Sequence, residues 1–177
     1  MRLQLPEKLE THRVRIRPFL NKDAKAFVSF MTNPKATKYL LFSDEQKTEK
    51  GALNLLKLVL SSYDTEDQIY SLVVADKKTD EFIGSNGLSL FLNNNIAFQI
   101  YWAILPHLWG KGFGTESTKL LLEFAFDTLR IEKIVAYTHP HNFASQRVAD
   151  KTGFQFKGLL PHPFTHQDSY YYEILKD

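Results

Sequence analysis

The sequence predicts an α+β fold: one domain over residues 1–177, with its core at about residues 12–175, built on a mixed and mostly antiparallel central sheet of six to seven strands flanked by about four helices. Two segments with helical spacing of apolar residues come first. A run of three strand-like segments joined by short turns follows, which is typical of antiparallel neighbours. Strand and helix patterns then alternate, as in a parallel crossover. No repeat or long linker divides the chain, and its length suffices for one substantial core.

The first elements are one strand and two helices. Residues 14–18 alternate apolar and basic side chains and end at Pro18, which predicts a strand. Asn21 is a residue type that caps helices, and apolar residues at helical spacing predict a helix over residues 22–32, ended by the Asn-Pro pair that follows. Leucines at helical spacing predict a second helix over residues 45–63.

The strand-rich middle and the alternating final part follow. Two strands are predicted as a hairpin across the polar residues 76–80, and Asn93-Asn94-Asn95 predicts a second tight turn. A third strand, closed by Pro106, leads into a glycine-rich loop and a long helix. The predicted strands of this part are residues 69–75, 82–91, 96–105, 133–138, 154–160 and 169–175, and the predicted helices are residues 112–129 and 142–151.

The composition excludes several classes of function. Lys and Arg together number 22 against 20 Asp and Glu, and no basic cluster stands out, so nucleic acid is not a predicted partner. The densest basic segment, residues 12–17, alternates with Val14 and Ile16 and is predicted to be the solvated face of a strand. The absence of cysteine excludes disulfides, thiolate metal ligands and a cysteine nucleophile. With no signal-peptide or membrane-spanning pattern, we expect a cytoplasmic protein without a membrane partner, in an oligomeric state that the sequence leaves open.

The most informative segment is residues 109–115, called the glycine loop below, in which three glycines alternate with other residues between a predicted strand and a predicted helix. Glycines leave the backbone N–H groups uncovered by side chains, so these groups can bind an anion such as a pyrophosphate. The unpaired N–H donors at the start of a helix and the helix dipole add to this attraction. An ATP-binding P-loop would need Ser or Thr after Lys111, where Gly112 stands. A dinucleotide motif would need wider glycine spacing and an acid at the end of the next strand, whereas Glu132 precedes that strand. Coenzyme A is the third ligand that this cradle fits.

The glycine loop resembles a known coenzyme A motif. Trp109-Gly110-Lys111-Gly112-Phe113-Gly114 is similar to the Gln/Arg-x-x-Gly-x-Gly/Ala motif of the GNAT N-acetyltransferases, with Trp109 in the Gln/Arg position. The branch that acetylates protein amino termini, including the ribosomal-protein-alanine acetyltransferases, commonly has Trp-Gly-Lys-Gly-Tyr-Ala-Thr-Glu, which residues 109–116 resemble. Asn-Phe-Ala-Ser-Gln-Arg-Val at residues 142–148 and Lys-Thr-Gly-Phe at residues 151–154 resemble that branch's second signature, Asn-x-x-Ser-x-Arg-Val followed by Lys-x-Gly-Phe. Two motifs in order, within a matching succession of elements, imply a GNAT-like fold.

The resemblance implies a coenzyme site. The loop amides would bind the pyrophosphate of acetyl-CoA, and Leu105 with its neighbours would bind the pantetheine arm through the backbone, in a gap where this strand splays from the next. Asn142, also a candidate helix N-cap, and Ser145 would face the arm from the other side, with Ser145 as the candidate catalytic acid that protonates the departing thiolate. The coenzyme-binding residues so implied are Leu105, Trp109, Gly110, Lys111, Gly112, Phe113, Gly114, Thr115, Asn142 and Ser145. No metal is expected, because no histidine or acid set has metal-ligand spacing.

The general base is the point at which the chain departs from the family it resembles. Related enzymes often carry a glutamate on the central strand, and Gln99 takes that place, although a glutamine cannot accept a proton at neutral pH. Another group or waters would serve instead, or the chain would bind or sense coenzyme A without catalysis. His107 and His139 are candidate proton carriers near the expected mouth of the cleft. Glu116, in the first helical turn, is expected to stabilise the helix dipole.

The function that the resemblance implies is acetyl transfer from acetyl-CoA directly to a primary amine, without a covalent enzyme intermediate. A free α-amino group has a pKa of about 8, against about 10.4 for lysine, so it needs less help from a base. The favoured acceptor is therefore a protein or peptide amino terminus. Small-molecule amines are the alternative acceptors, since the resemblance also covers enzymes that act on them. A dinucleotide-dependent oxidoreductase is disfavoured by the glycine spacing.

Overall fold

The computed structural model describes residues 2–7, 9–93 and 95–176 and shows eight strands and five α-helices within these ranges. The strands are β1 (Leu9–Glu10), β2 (Val14–Pro18), β3 (Tyr70–Asp76), β4 (Phe82–Asn93), β5 (Asn95–Ile104), β6 (Lys133–Thr138), β7 (Gln155–Pro161) and β8 (Asp168–Leu175). The helices are α1 (Ala24–Met31), α2 (Pro34–Thr37), α3 (Glu49–Ser62), α4 (Phe113–Asp127) and α5 (Phe143–Lys151), and single 3₁₀ turns lie at Asn21–Asp23 and Pro106–Leu108. None of the described helices is both long and apolar enough to span a bilayer.

The predicted elements are found in the predicted order; the differences are two short unpredicted elements, β1 and α2, and the positions of the helix starts. Asn21 belongs to a 3₁₀ turn and does not cap a helix, so its predicted role is wrong and α1 begins at Ala24. Asn33 caps the short α2 instead, because its side chain accepts the backbone N–H of Lys35 at 2.9 Å. Helix α3 begins later than predicted because the Thr48 hydroxyl caps it, accepting the N–H of Gly51 at 3.0 Å.

The sheet has the order β1-β2-β3-β4-β5-β6-β8-β7. All neighbouring pairs are antiparallel except β5 and β6, which confirms the mixed, mostly antiparallel sheet predicted from the sequence. The strand that was not predicted is β1, which has only two residues and is too short to show a periodic pattern. The hairpin of β3 and β4 is confirmed, whereas the turn predicted at residues 93–95 includes Asn94, which lies outside the described residues.

The two faces of the sheet carry separate cores. On one face Ile100 and Ile104 of β5 pack with the buried Leu121 of α4. On the other, Ala103 packs with buried side chains of α1 and α3 such as Phe30. Because side chains alternate along a strand, Gln99 and Tyr101 share the face of Ala103. The strand therefore directs alternate residues to two different layers of helices.

The basic segment at residues 12–17 is solvated only in part, because His12 is exposed and Arg15 is half-buried, whereas Arg17 is buried against the prediction. Arg17 is only 9% exposed and forms a bidentate ion pair with Asp23, at 2.8 and 2.9 Å. Its Nε also donates to Asp80 at 3.0 Å, across the β3–β4 turn. The apolar half of the prediction is confirmed, since Val14 and Ile16 are fully buried.

The ionised Asp80 carboxylate stabilises the folded state in a pH-dependent way. Burial alone would raise the pKa of Asp80, but hydrogen bonds from Lys22 and Arg17 outweigh it and lower the pKa to about 2. An unfolded aspartate titrates near pH 3.9, so this contribution is complete above about pH 4 and is lost as the pH falls towards about 2. We expect Asp80→Asn to be less stable at pH 7, and its unfolding free energy to change less than that of the wild type between these pH values.

Urea unfolding of both proteins at a series of pH values measures this difference. Asparagine suits the position because Asp80 has a φ of 57°, a left-handed conformation that Asn tolerates better than most residues. Other acids contribute equally to both proteins and cancel in the comparison. Identical pH dependence for the two proteins would show that the Asp80 contacts do not stabilise the fold.

Candidate active site

The glycine loop connects the end of β5 to the start of α4. Gly110 and Gly112 have φ values of 76° and 85°, in the left-handed region that side chains disfavour, so the predicted need for glycine is physical at both positions. The Trp109 indole Nε1 donates to the Ile104 carbonyl at 2.6 Å and ties the loop back to the strand end. Trp109 is nevertheless half exposed and also lines a cavity beside the loop.

Arg13, the residue just before β2, binds the glycine loop and the first turn of α4. Its Nη1 donates to the Lys111 carbonyl at 3.0 Å, its Nε donates to Glu116 at 2.7 Å, and its guanidinium lies 4.7 Å from the centre of the Phe113 ring. Burial would raise the pKa of Glu116, but hydrogen bonds from Thr11 and Arg13 lower it. Glu116 is thus an ion-pair partner within the first turn of α4, a contact that sequence reasoning missed.

A cavity of 530 Å³, called the loop cavity, lies between the glycine loop and the start of α5. Within the described chain no side chain caps the N-terminus of α4, so the N–H groups of its first turn are available to a ligand. Gly114 brings the two helices close, since a Cβ there would lie 3.3 Å from Val148. The cavity suits an extended anion held by backbone donors. Its lining includes Trp109, Gly110, Gly112, Phe113, Gly114 and Thr115.

Strands β5 and β6 separate beyond two paired positions, Phe98–Ile134 and Gln99–Val135, which leaves the predicted gap between them. The Leu105 N–H donates to Ile83 at 3.0 Å, towards β4, and the Leu105 carbonyl accepts from Leu108. By the alternation of an antiparallel ladder, the backbone groups of Trp102 and Ile104 point the other way, into the gap. The Ile104 carbonyl already accepts from Trp109, so the backbone groups open to a ligand are those of Trp102 and the N–H of Ile104.

Asn142 and Ser145 lie across the gap, at the start of α5. The Asn142 side chain accepts the Ser145 N–H at 3.2 Å, so the predicted helix cap is confirmed. The Ser145 hydroxyl has no hydrogen-bond partner among the described residues. Both residues, like Trp102, line the loop cavity and also a second cavity on the other side of the gap. The two cavities therefore meet at this point.

The second cavity, called the wide cavity, has a volume of 690 Å³ and lies over Gln99 and Tyr101 of β5. Its walls are mainly apolar and aromatic, from α1, α3, residues 38–43 and the loop between β7 and β8. Among the described residues no aspartate or glutamate lines either cavity. The Gln99 Oε1 is buried without a hydrogen-bond partner in the described structure, on the floor of this cavity.

A cluster of three hydroxyls, from Ser71, Ser85 and Tyr101, forms another part of this floor. The Tyr101 hydroxyl contacts the hydroxyls of Ser71 and Ser85, the latter at 2.9 Å, and Ser85 donates to the Leu72 carbonyl at 2.9 Å. Burial raises the pKa of Tyr101, which keeps its phenol neutral. Sequence reasoning missed this cluster, because three adjacent strands contribute one residue each and only their register brings the residues together.

The histidines named from the sequence are placed differently from one another. His139 lines the wide cavity, with its ring 4.9 Å from that of Tyr39, and its Nδ1 accepts the His141 N–H at 3.1 Å. His107 is exposed and lines neither cavity. Within the described ranges no group of three His, Asp or Glu side chains could hold a metal ion. His162, given no role from its spacing, lies in the wall of the wide cavity.

Comparison with known proteins agrees with this geometry. A family model described as an acetyltransferase (GNAT) domain matches residues 13–155. The uncharacterised N-acetyltransferase p20 of Bacillus licheniformis is 27% identical over 154 residues, which cover 87% of this chain and 85% of that protein. The ribosomal-protein-S5-alanine acetyltransferase of Vibrio fischeri has a similar fold, with a TM-score of 0.78 at 18% identity over 97% of this chain and 98% of that one.

A second solved structure with this fold contains coenzyme. RimJ of Mycobacterium smegmatis, in complex with CoA-disulfide, has a TM-score of 0.75 to this chain at 17% identity, over 92% of this chain and 81% of that one. Such low identities establish the fold, whereas the family match, which spans most of the chain, establishes the family. The chain belongs to the GNAT acetyltransferase family, and its enzyme class is that of the acetyl-CoA-dependent N-acetyltransferases.

Proposed function

We propose that residues 1–177 act as one domain that transfers an acetyl group from acetyl-CoA to the α-amino terminus of a peptide or protein. The observation that carries this proposal is the meeting of the loop cavity and the wide cavity at the gap between β5 and β6. A ligand held by the glycine loop and a second ligand in the wide cavity would touch there, beside Ser145. Direct transfer in a ternary complex needs no nucleophile from the protein, in keeping with the absence of cysteine.

The residues around the loop cavity fit acetyl-CoA. Backbone N–H groups of residues 110–115 would hold the pyrophosphate at the uncapped start of α4. The open backbone edge of Trp102 and Ile104 would hold the pantetheine arm, and Asn142 would face it across the gap. The bound coenzyme supplies an acetyl thioester, the activated acyl group that the reaction needs. Trp109 keeps the loop closed through its bond to Ile104, and Lys111, Phe113 and Leu105 support the same segment.

Two groups of the chain are placed to assist the chemistry at the meeting point. A backbone N–H of β5 in the gap stabilises negative charge on a carbonyl oxygen, as a fixed donor in a site shielded from water does. The Ser145 hydroxyl, which has no partner among the described residues, is available to donate a proton to a leaving sulfur. Ser145 is accordingly the proposed catalytic acid.

The choice of an α-amine as acceptor follows from the missing base. No described carboxylate lines the cavities, and Gln99 cannot take a proton. Without a carboxylate base, the amine must lose its proton to water, or to His139, the candidate proton carrier that lines the wide cavity. At neutral pH the uncharged fraction of an α-amine with a pKa of about 8 is on the order of 10²-fold larger than that of a lysine side chain. One structural neighbour is named a ribosomal-protein-S5-alanine acetyltransferase, which points to the same kind of acceptor.

A matched pair of peptides tests the acceptor. The first has a free amino terminus and an acetylated lysine; the second has the same sequence, an acetylated amino terminus and a free lysine. We expect kcat/KM at pH 7 to be at least about 100-fold higher for the first, and its logarithm to rise with unit slope up to the pKa of the α-amine, near about 8. Release of free thiol measures the rate, and mass spectrometry locates the acetyl group.

Different outcomes address different parts of the proposal. Equal rates on the two peptides would reject the α-amine preference and leave an N-acetyltransferase of small or side-chain amines. Transfer to neither peptide, with acetyl-CoA bound, would reject a peptide acceptor. A pH profile that reaches its plateau well below the pKa of the amine would reveal a protein base, for which His139 is the candidate in the wall of the wide cavity.

A further inference from the structure

His162 is a buried histidine in the wall of the wide cavity. It follows β7 directly and is only 3% exposed. Its ring packs edge-on against the Tyr137 ring, with 5.0 Å between the centroids. Its backbone is fixed as well, since its N–H donates to Gln167 and its carbonyl accepts from His166, both at 2.8 Å. The ring is therefore held in one orientation in the loop that leads to β8.

The hydrogen bonds of the ring determine where its proton lies. The Nδ1 atom accepts the backbone N–H of Phe164 at 3.2 Å, so this nitrogen carries no proton. Burial lowers the pKa of His162, which keeps the imidazole neutral and places its single proton on Nε2. The Nε2 atom is buried and has no hydrogen-bond partner in the described structure. The ring thus presents one unsatisfied N–H donor.

This arrangement excludes two common roles for histidine. A general base needs a free lone pair, but one ring nitrogen of His162 already accepts a hydrogen bond and the other bears the proton. A metal ligand needs companions, and no group of three potential ligands exists among the described residues. A buried donor without a partner costs about 1–3 kcal/mol, so an unsatisfied one in a cavity wall indicates a ligand that completes it.

The floor of the same cavity offers the opposite kind of group. The Gln99 amide has a carbonyl oxygen that is buried without a described partner and, beside it, an NH2 group. In the cluster of Ser71, Ser85 and Tyr101, Ser85 donates its proton to the Leu72 carbonyl. The hydroxyl protons of Ser71 and Tyr101 are used in hydrogen bonds within the cluster. The cluster therefore has only lone pairs left to offer a ligand in the cavity. Such a floor suits the N–H groups of an amine, whereas the wall at His162 suits an oxygen.

We infer that His162 is a specificity-determining residue, whose Nε2–H donates to a carbonyl or carboxylate oxygen that the acceptor molecule carries in addition to its amine. This inference rests on the proposed acetyl transfer to an amine in the wide cavity, and it adds the chemical feature by which acceptors are distinguished. Simple alkylamines and arylalkylamines satisfy the floor and leave the His162 donor unpaired. Amino-acid amides and peptide amino termini satisfy both.

The test is the binding of two ligands that differ by one group, phenylalaninamide and phenethylamine, to the protein saturated with coenzyme A. Calorimetry gives the ratio of their Kd values for the wild type, for His162→Phe and for His162→Gln. We expect His162→Phe to reduce the preference for the amide about tenfold, through weaker amide binding with phenethylamine binding unchanged. The intrinsic difference between the two ligands, including their amine pKa values, cancels when the ratios are compared.

His162→Gln is the matched control, because it also removes the imidazole that accepts the Phe164 N–H but restores an N–H donor of similar reach. We expect it to recover a substantial part of the amide preference. A ratio unchanged in His162→Phe, an equal loss of affinity for both ligands, or no binding of either ligand by the wild type would overturn the inference. Since no turnover is needed, the expected ratios without acetyl transfer would instead count against the proposed function alone.

Discussion

Gly110→Glu is expected to lower the affinity for acetyl-CoA by at least about 100-fold, a loss that needs about 2.7 kcal/mol. Gly110 lines the loop cavity, and a Cβ at this position would meet no described atom within 4 Å, so the new side chain enters open space in the cradle. Two like charges 4 Å apart near a protein surface repel by about 4 kcal/mol, which exceeds the required loss. Calorimetric titration of the purified protein with acetyl-CoA measures the effect.

Gly110→Gln is the control for this substitution. It has the same size and imposes the same left-handed strain of about 1–2 kcal/mol, but it adds no charge, so we expect it to bind more tightly than the glutamate variant. Gly112 is a less suitable position, because a Cβ there would lie 3.4 Å from Arg13, which would offer the new carboxylate an ion pair. A folded Gly110→Glu protein with wild-type affinity would show that the pyrophosphate lies elsewhere.

Arg17→Met is expected to destabilise the fold by about 3–5 kcal/mol at pH 7. The substitution keeps an unbranched apolar stem but removes the guanidinium, which leaves Asp23, 3% exposed, without its bidentate partner. It also removes a hydrogen bond to Asp80. A buried carboxylate without a compensating charge is costly, and this cost dominates the lost attraction. Urea unfolding gives the free-energy difference, provided that the denaturant slope is unchanged.

Arg15→Met, on the same strand, is the matched comparison. The Arg15 side chain is 35% exposed and pairs with Glu10 at 2.7 Å and Asp80 at 3.2 Å. Partly exposed pairs contribute little, so we expect a much smaller loss of stability than for Arg17→Met. Similar losses of unfolding free energy for the two variants would mean that burial does not increase the contribution of the Arg17–Asp23 pair to stability.

The features that the sequence predicted well depend on residues that are close together in the chain. The glycine loop and the Asn142 cap depend on residue types at fixed local spacing; the structure confirms the cap and adds that Gly110 and Gly112 are left-handed. The gap between β5 and β6 was implied by resemblance and is confirmed by the two paired positions. Which residues near Leu105 expose their backbone to the gap depends on the alternation along the strand, because the backbone groups of successive residues point to opposite edges. The phase of that alternation follows from pairing with β4, which no local pattern reveals.

The features that the sequence did not reveal join distant segments. Arg13 and Glu116 are 103 positions apart, and Ser71 and Tyr101 are 30 apart. The segment at residues 12–17 looked solvated because basic residues alternate with apolar ones, and only the fold shows which acids cover them. The role inferred for His162 depends on which ring nitrogen is occupied, a property of tertiary hydrogen bonding. Residue type and spacing carry no information about such partners.

The contact of Arg13 with the glycine loop has a thermodynamic consequence for the amino-terminal edge of the sheet. Arg13 binds both Lys111 and Glu116, so the closed loop and the docked amino-terminal edge of the sheet stabilise each other. Whatever binds the closed loop must then favour docking of β1 and β2 by the same free energy with which docking favours binding, because such coupling is reciprocal. Coenzyme occupancy would thus slow amide exchange in strands that lie outside the lining of the loop cavity, and the edge of the sheet would report on the state of the site.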